Sequence, residues 1–146
     1  MSDITKAVRT RLLGSANIST LVGVRIYPDI LPQKDGKITV DLPAITVDVV
    51  SGSSESDLTG GIGLGTQRVS ITTYAKSRSA TRELSELIRA RMLSMRGSVG
   101  TEHIRSVTCE SRVDIMDPPL DASDQWRYLT AMDFEVMHGE TVAAIS

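Results

Sequence analysis

Four glycines lie within the six residues from Gly60 to Gly65, and such clusters can hold a phosphate against backbone N–H groups. Gly60 and Gly65 have the separation of a P-loop. Thr66, however, stands where that loop requires lysine, and a strand pattern follows instead of a helix. Gly61, Gly63 and Gly65 alternate at every second position, which differs from the dinucleotide-binding fingerprint. The spacing therefore favours a flexible or partner-binding segment over a phosphate site.

Two histidines and four aspartates are the residues that could bind a metal ion. His103 and His138 are the only histidines, and no third ligand stands at helical or Cys-x-x-Cys spacing from either. The aspartates surround a Pro-Pro pair and are Asp114, Asp117, Asp121 and Asp124. Their order does not match an EF-hand loop, which also needs a central glycine and a final glutamate. We therefore interpret the histidines as solvated or strand-end residues and the aspartates as a solvated acidic turn, and we predict no metal site.

Nucleophilic catalysis finds equally little support. Cys109 is the only cysteine, which excludes an intramolecular disulfide and fits a reducing compartment. It lies in an alternating pattern that predicts a small core residue, and no motif supplies a neighbouring base. The serine-rich residues 51–56 lack the second glycine of a nucleophile elbow. We predict no catalytic residue, no cofactor and no enzymatic activity.

Size and charge restrict the class of protein. The 146 residues, with 40% hydrophobic and 23% charged residues, predict a single globular domain over residues 1–146. A net charge of −2 gives no electrostatic argument for sequence-specific nucleic-acid binding or for an anionic membrane. The N-terminus does not resemble a signal peptide, and no stretch is apolar enough to span a bilayer. We expect a soluble protein that starts in the cytoplasm.

Two helices are predicted from apolar stripes. The first begins at Ser2 or Asp3 and stops at Gly14, with a stripe of Ile4, Ala7, Val8 and Leu12. The second begins with Ser79 as its cap and runs to about Met95, with a stripe of Ala80, Leu84, Leu87, Ile88, the stem of Arg91, and Met95. Residues 21–27 are predicted as a short strand or extended segment after a turn, and residues 29–41 as a loop or small hairpin arm.

The remaining patterns predict strands. Ile45, Val47 and Val49 alternate in residues 42–50, and residues 66–75 alternate in the same way. Two further strands, over residues 104–115 and 126–138, are separated by a proline-containing break. We predict an α+β fold: an antiparallel-rich mixed sheet, two helices packed on one face, and a long glycine-rich loop over residues 52–65 between two central strands.

The predicted loop is a candidate contact surface. It is far longer than an ordinary hairpin connection, and loops of that length in compact domains are typically functional or disordered. Its apolar residues Ile62 and Leu64 lie between glycines and would be buried against a neighbouring chain. The predicted contact residues of this segment are Glu55, Asp57, Leu58, Ile62 and Leu64.

A charge asymmetry suggests a second contact. Residues 76–96 carry six basic and two acidic side chains, whereas residues 110–124 carry five acidic and one basic. Two solvated faces would explain this pattern. The alternative is that copies of the chain dock head to tail, basic helix against acidic segment, in a contact that can close into a ring. The residues predicted for that contact are Arg82, Arg89, Arg91, Asp117, Asp121 and Asp124.

Five segments of the chain carry a resemblance to a known family: residues 21–28 (LVGVRIYP) after an N-terminal helix, 31–33 (LPQ), 42–47 (LPAITV), the Gly/Ser segment, and 68–75 (RVSITTYA) before a second helix. In these segments the chain resembles the tail-terminator, or tail-completion, proteins of long-tailed bacteriophages. The resemblance covers about residues 4–95, and the last two strands agree in pattern only. The family carries no catalytic residues to transfer.

The resemblance implies an α+β fold and a virion protein that caps the tail tube as a hexameric ring. In that role the protein would end tube growth and give the surface for head–tail joining, at the head-proximal end of a tail assembled in the host cytoplasm. The implied partners are copies of itself, the tail tube protein and the head–tail connector, with DNA able to pass through the ring. A neck or head-completion protein is the alternative, and a small ligand-binding or enzymatic α+β domain is the alternative from another class.

Overall fold

A computed structural model describes residues 3–28, 30–34, 37–38, 40–57, 60–99, 102–118 and 127–139. Within these residues the chain forms three helices and eight strands, in the order α1, α2, β1 to β5, α3, β6 to β8. None of the described helices is long and apolar enough to span a membrane.

Helix α1 (Asp3–Leu13) forms as its stripe predicts. Ile4, Ala7, Val8 and Leu12 are all buried, because their spacing places them on one side of the helix. The helix ends at Gly14, whose N–H donates to the Thr10 carbonyl at 3.1 Å.

Helix α2 (Ala16–Val22) was not expected, and the predicted extended segment over residues 21–27 is correct only for its end. Ser15 caps this helix, since its side chain accepts a hydrogen bond from the Ile18 N–H at 3.3 Å. Ile18 and Val22, one turn apart, are both buried, so packing places Val22 in a helix despite its β-branched side chain. Gly23 then ends the helix with φ of 58°, which a residue with a side chain rarely adopts.

Helix α3 (Arg78–Leu93) is the predicted second helix with shifted details. Its cap is Ser77 instead of Ser79, and the Ser77 hydroxyl accepts from the Ala80 N–H at 3.2 Å. The fully buried side is Thr81, Leu84, Ser85, Ile88 and Met92, which is one position away from part of the predicted stripe. Ala80, Leu87 and Arg91 are only half-buried, while Met95, beyond the helix, is buried as predicted.

The strands build one large sheet and one small ribbon. The strands are β1 (Ile26–Pro28), β2 (Gln33–Lys34), β3 (Lys37–Ile38), β4 (Ala44–Asp57), β5 (Gly60–Ala75), β6 (Gly97–Val99), β7 (Glu102–Asp117) and β8 (Arg127–Gly139). The six-stranded sheet has the order β1-β4-β5-β8-β7-β6, and β2 pairs with β3 separately. Only the β1–β4 pair is parallel, so the predicted antiparallel-rich mixed sheet is confirmed.

The predicted long loop over residues 52–65 is wrong, because both strands continue into this segment. β4 and β5 pair from Ala44↔Tyr74 out to Asp57↔Gly60, with register shifts along the way. Strand pairing needs only backbone N–H and C=O groups, which serine and glycine supply as well as valine does. The side-chain alternation that identifies a strand in a sequence is missing in this segment. β5 also pairs with β8 on its other side, as far as Leu64↔Gly139.

The main core lies between the helices and one face of the sheet. Buried side chains of β4, β5 and β8 meet those of α1 and α3, among them Ile45, Ile71, Phe134, Leu84 and Ile88. Three helices, instead of the predicted two, contribute to this layer, since Ile18 and Val22 of α2 belong to the same cluster. A smaller cluster on the opposite face joins Leu31, Leu42 and Ala44 with the partly buried Tyr27, Val40 and Tyr74.

Helix α3 should therefore be essential for stability. Replacing Ile88, which is fully buried, by alanine should lower the free energy of unfolding by about 2–5 kcal/mol, through lost burial and the cavity left behind. Replacing its exposed neighbour Arg89 by alanine is the matched control and should change it by less than about 0.5 kcal/mol. Urea unfolding of both variants measures the difference, and equal losses would contradict this assignment of the core.

Candidate functional site

The predicted contact residues lie on three parts of the fold. Glu55, Asp57, Ile62 and Leu64 belong to the β4–β5 hairpin, and Asp117 ends β7. The predicted arginines, Arg82, Arg89 and Arg91, are all on α3. Leu58, Asp121 and Asp124 lie outside the described residues. The structure thus separates the hairpin residues from the helix arginines.

Asp114 of β7 binds the first turns of α3 within the same chain. Its carboxylate lies 3.3 Å from an Arg82 nitrogen and 3.9 Å from an Arg78 nitrogen. It also accepts a hydrogen bond from the Thr130 hydroxyl at 2.9 Å. This hydrogen bond and the two guanidinium groups lower the pKa of Asp114, although partial burial acts against them. Arg82, predicted to reach a neighbouring copy, therefore has an acidic partner in its own chain.

The Asp114 carboxylate is hydrogen-bonded to the first of three buried threonines whose hydroxyls are linked to one another. Thr130 accepts a hydrogen bond from the Thr81 hydroxyl at 3.1 Å, and the hydroxyl oxygens of Thr81 and Thr73 are 2.6 Å apart. All three threonines are buried, so their hydroxyls satisfy one another in place of water. This series of hydrogen bonds joins β5, α3, β8 and β7 at one end of the sheet.

Arg112, two residues before Asp114, is tied to α3 in a similar way. It forms an ion pair with Glu86 and donates a hydrogen bond to the Ser85 hydroxyl at 3.0 Å. The charged side chains at positions 112 and 114 of β7 thus both turn toward the helix. Part of the predicted charge asymmetry is therefore neutralised by ion pairs within one chain instead of by contacts between two copies.

The other predicted arginines differ from Arg82. Arg91 donates a hydrogen bond to the Arg11 carbonyl at 2.9 Å, and Arg11 donates to the Arg91 carbonyl at 3.3 Å. These reciprocal bonds join the C-terminal ends of α1 and α3, where helix carbonyls lack partners within their own helices. Arg89 is exposed on α3. Of the three arginines, Arg91 therefore has a clear structural role.

The residues singled out for chemistry are dispersed. The described part of the chain holds no group of three His, Cys, Asp or Glu side chains placed to bind a metal ion. His138 is buried on β8, and Cys109 is half-buried against the core with its thiol 3.7 Å from the Ser111 carbonyl. Gly60 to Gly65 lie within β5, so no helix follows these glycines.

Within the described residues, two edges of the large sheet lack a neighbouring strand over most of their length, and sequence reasoning missed both. β1 pairs with β4 only at residues 45–47, and β6 pairs with β7 only at residues 102–104. Within the described ranges no strand lies along residues 48–57 of β4, here called the β4 edge, or along residues 105–117 of β7, here called the β7 edge. Long unpaired edges are templates for pairing with another chain.

Exposed apolar side chains collect at these edges. Val50 lies on the β4 edge, and Val113, Ile115 and Met116 lie on the β7 edge, each between 43% and 56% exposed. The remaining large apolar side chains that the described residues expose, Val24 and Ile30, flank β1 in sequence. Alternation in residues 104–115 had identified the β7 strand, but it could not tell which of its apolar residues stay uncovered.

The Asp114 contacts predict a pH-dependent contribution to stability. Because the folded-state pKa is lowered, the stabilisation is complete above the ordinary aspartate pKa and disappears as pH falls through the folded value. Asp114→Asn should therefore lower the free energy of unfolding at neutral pH by about 1 kcal/mol or less, with the difference from wild type vanishing at low pH. Urea unfolding across this pH range measures it, with exposed Glu83→Gln on α3 as control. A difference that does not change with pH would contradict the role of the charge.

The comparisons with known proteins agree with one another. The family model for tail completion protein gp17 matches residues 6–125. A chain in the virion of a native gene transfer agent particle matches the structure with a TM-score of 0.66 at 12% sequence identity, covering 93% of this chain and 95% of that chain. No curated protein sequence gives a significant match.

The structural likeness, at that level of identity, shows a shared fold. The family match extends over most of the chain, beyond the segments on which the sequence resemblance rested, and it includes most of α1 and all of α2, α3 and β1 to β7. The resemblance drawn from the sequence is confirmed. The chain belongs to the tail completion protein gp17 family of bacteriophage tail structural proteins and is a virion component.

Proposed function

We propose that this protein ends the growth of the phage tail tube by forming a ring of six copies at its head-proximal end. The ring gives the surface on which the head connector is joined, and DNA passes through its centre. Its partners are further copies of the chain, the tail tube protein and the head–tail connector. The role is structural, not enzymatic, and the ring assembles in the host cytoplasm.

The observation that carries this proposal is the projecting end of the β4–β5 hairpin. β8 accompanies β5 only as far as Leu64↔Gly139, whereas β4 and β5 continue to pair out to Asp57↔Gly60. Within the described residues the projecting end is therefore a two-stranded ribbon, and an isolated two-stranded ribbon is only marginally stable in water. A contact with a neighbouring copy or with the tube would stabilise it, which supports an assembly role for this segment.

The hairpin residues remain the proposed contact set on this side of the molecule. Glu55 and Asp57 lie on β4 close to the turn, Ile62 and Leu64 on β5, and Leu58 lies next to the turn in sequence. In our proposal the apolar pair becomes buried when the ring meets its neighbour. Ordering of a segment on assembly is common at such interfaces.

We retain the proposed charge contact between copies, but the three α3 arginines are not equally available for it. Arg82 would have to leave or share Asp114, and Arg91 already joins two helix ends. Exposed Arg89 is the α3 arginine that reaches a neighbour's Asp117, Asp121 and Asp124 at the lowest energetic cost. Contacts of this kind contribute little and are weakened by salt.

A phage that lacks this gene tests the proposed function. We expect overlong or unjoined tails in electron micrographs, because nothing stops tube growth or offers a joining surface. Supplying the wild-type gene from a plasmid should restore tails of normal length. Normal tails beside empty heads would instead favour the neck or head-completion alternative.

Replacement of Ile62 and Leu64 by serine tests the hairpin. If these side chains contact a neighbour, the melting temperature of the isolated chain should hardly change while tail completion in the complemented phage fails. Ile71→Ser, in the fully buried part of the same strand, is the control that should destabilise the isolated chain. Loss of several kcal/mol of stability in the hairpin variant would mean that these side chains pack against their own domain.

A further inference from the structure

We infer that two copies of this chain pair antiparallel through residues 111–115 of their β7 edges, with Val113 opposite Val113 of the second copy at a two-fold axis. The inference goes beyond the proposed ring, because it concerns a second contact that the ring does not require. A two-fold contact uses the same surface of both copies, so it ends at a dimer.

Residues 111–117 are the regular part of the β7 edge. They pair with β8 without a register shift, whereas a shift does occur just before them, between Cys109 and Ser111. Among the described residues no strand lies on their other side, so their outward backbone groups can pair with a further strand. Pro118, which has no N–H to donate, follows the strand. The stretch available for pairing is therefore short and bounded at both ends.

The side chains of this stretch differ between the two faces of the sheet. Arg112 and Asp114 bind α3, yet each side chain remains 30% exposed and can take a further partner. Val113 and Ile115 lie on the face opposite α3 and are 53% and 43% exposed. Half-buried Leu129 of β8 stands beside Ile115 on that face. Pairing at this edge would therefore remove apolar surface from water, which is favourable.

The charges favour one register of the pairing. Opposed side chains of antiparallel strands lie on the same face, so a two-fold pairing must be centred on a residue. Centring on Val113 places Arg112 opposite Asp114 of the second copy, and it does so twice. Centring on Arg112 would oppose two arginines, and centring on Asp114 would oppose two carboxylates, which is destabilising. Centring on Ile115 would place Val113 opposite Asp117 and would form no ion pair.

The same register brings apolar side chains together on the face opposite α3. Val113 meets its counterpart directly, and Ile115 lies opposite Ser111 and diagonally beside Val113 of the second copy. Directly opposed side chains in such a pair have Cβ atoms about 4.5–5.5 Å apart, within contact distance. Five residues a side form a small contact compared with the roughly 800 Å² per partner of stable complexes. We therefore expect a weak dimer.

Cysteine trapping tests both the contact and its register. In a Cys109→Ala background, Val113→Cys would face its own counterpart with Cα atoms about 4.5–5.5 Å apart, which suits a disulfide. Ile115→Cys is the matched control, because it lies on the same face, is similarly exposed, and would be about 13 Å or more from its counterpart. Mild oxidation of the full-length chain should trap the Val113→Cys dimer at least about tenfold faster than the control.

A mixed sample fixes the register. Ser111→Cys and Ile115→Cys, each alone, should form little disulfide, whereas an equal mixture should form the heterodimer, because residues 111 and 115 are opposed. The intact mass of the oxidised product distinguishes the heterodimer from the two homodimers.

Sedimentation equilibrium measures the association without a cross-link. At the highest concentration that solubility allows, the wild type should contain dimer. Val113→Lys sets two like charges opposite each other and should raise the dimer Kd about tenfold or more, with the melting temperature retained because the position is exposed. Ala90→Lys, on the exposed side of α3, is the matched control and should associate like the wild type.

Several results would overturn the dimer. They are a wild type that stays monomeric, a Val113→Lys variant that associates like the wild type, and equal trapping of Val113→Cys and Ile115→Cys. Failure of the mixed sample to form the heterodimer would reject the register and with it the inference. None of these results affects tail length in the deletion phage, so the proposed function is tested separately.

Discussion

The packing of α3 across the two central strands is the interaction on which the rest of the structure depends. β5 and β8 occupy the middle of the sheet, and Leu84, Ile88 and Met92 of α3 are fully buried over its helix-facing side. The same packing excludes water from Thr73, Thr81 and Thr130. Their hydroxyls must then bond to one another, since an unpaired polar group in that position would be costly.

Helix α3 also provides the partners of two charged side chains of β7. Successive side chains of a strand point to opposite faces, so the charged residues at positions 112 and 114 reach Ser85, Glu86 and Arg82 on α3, while Val113 and Ile115 point away. The packing that closes the core therefore also draws these two charged side chains onto the helix, whereas Arg105 and Glu110 of the same strand stay exposed.

The outer strands and the hairpin complete this picture. β1 and β6 are three residues each, whereas the strands that they border have 14 and 16, so among the described residues no other strand lies along most of either border. The β4–β5 hairpin extends beyond the end of β8. In the proposed ring the hairpin reaches the next copy or the tube.

The amino-acid pattern alone determined α1, α3, the four long strands in their alternating parts, the α+β class and the family. These features follow from side-chain burial that repeats every 3.6 residues in a helix and every 2 residues in a strand. Such a repeat can be recognised within a short stretch of sequence. Tertiary structure decided α2, where packing of Ile18 and Val22 outweighs strand preference, and the extension of β4 and β5 through serines and glycines. It also decided that Arg82 and Arg112 find partners within the chain, and which strands stand at the borders of the sheet. Each of these features depends on groups that are far apart in the sequence and that only the fold brings together. Backbone pairing and ion pairing between such groups leave no periodic pattern in the sequence.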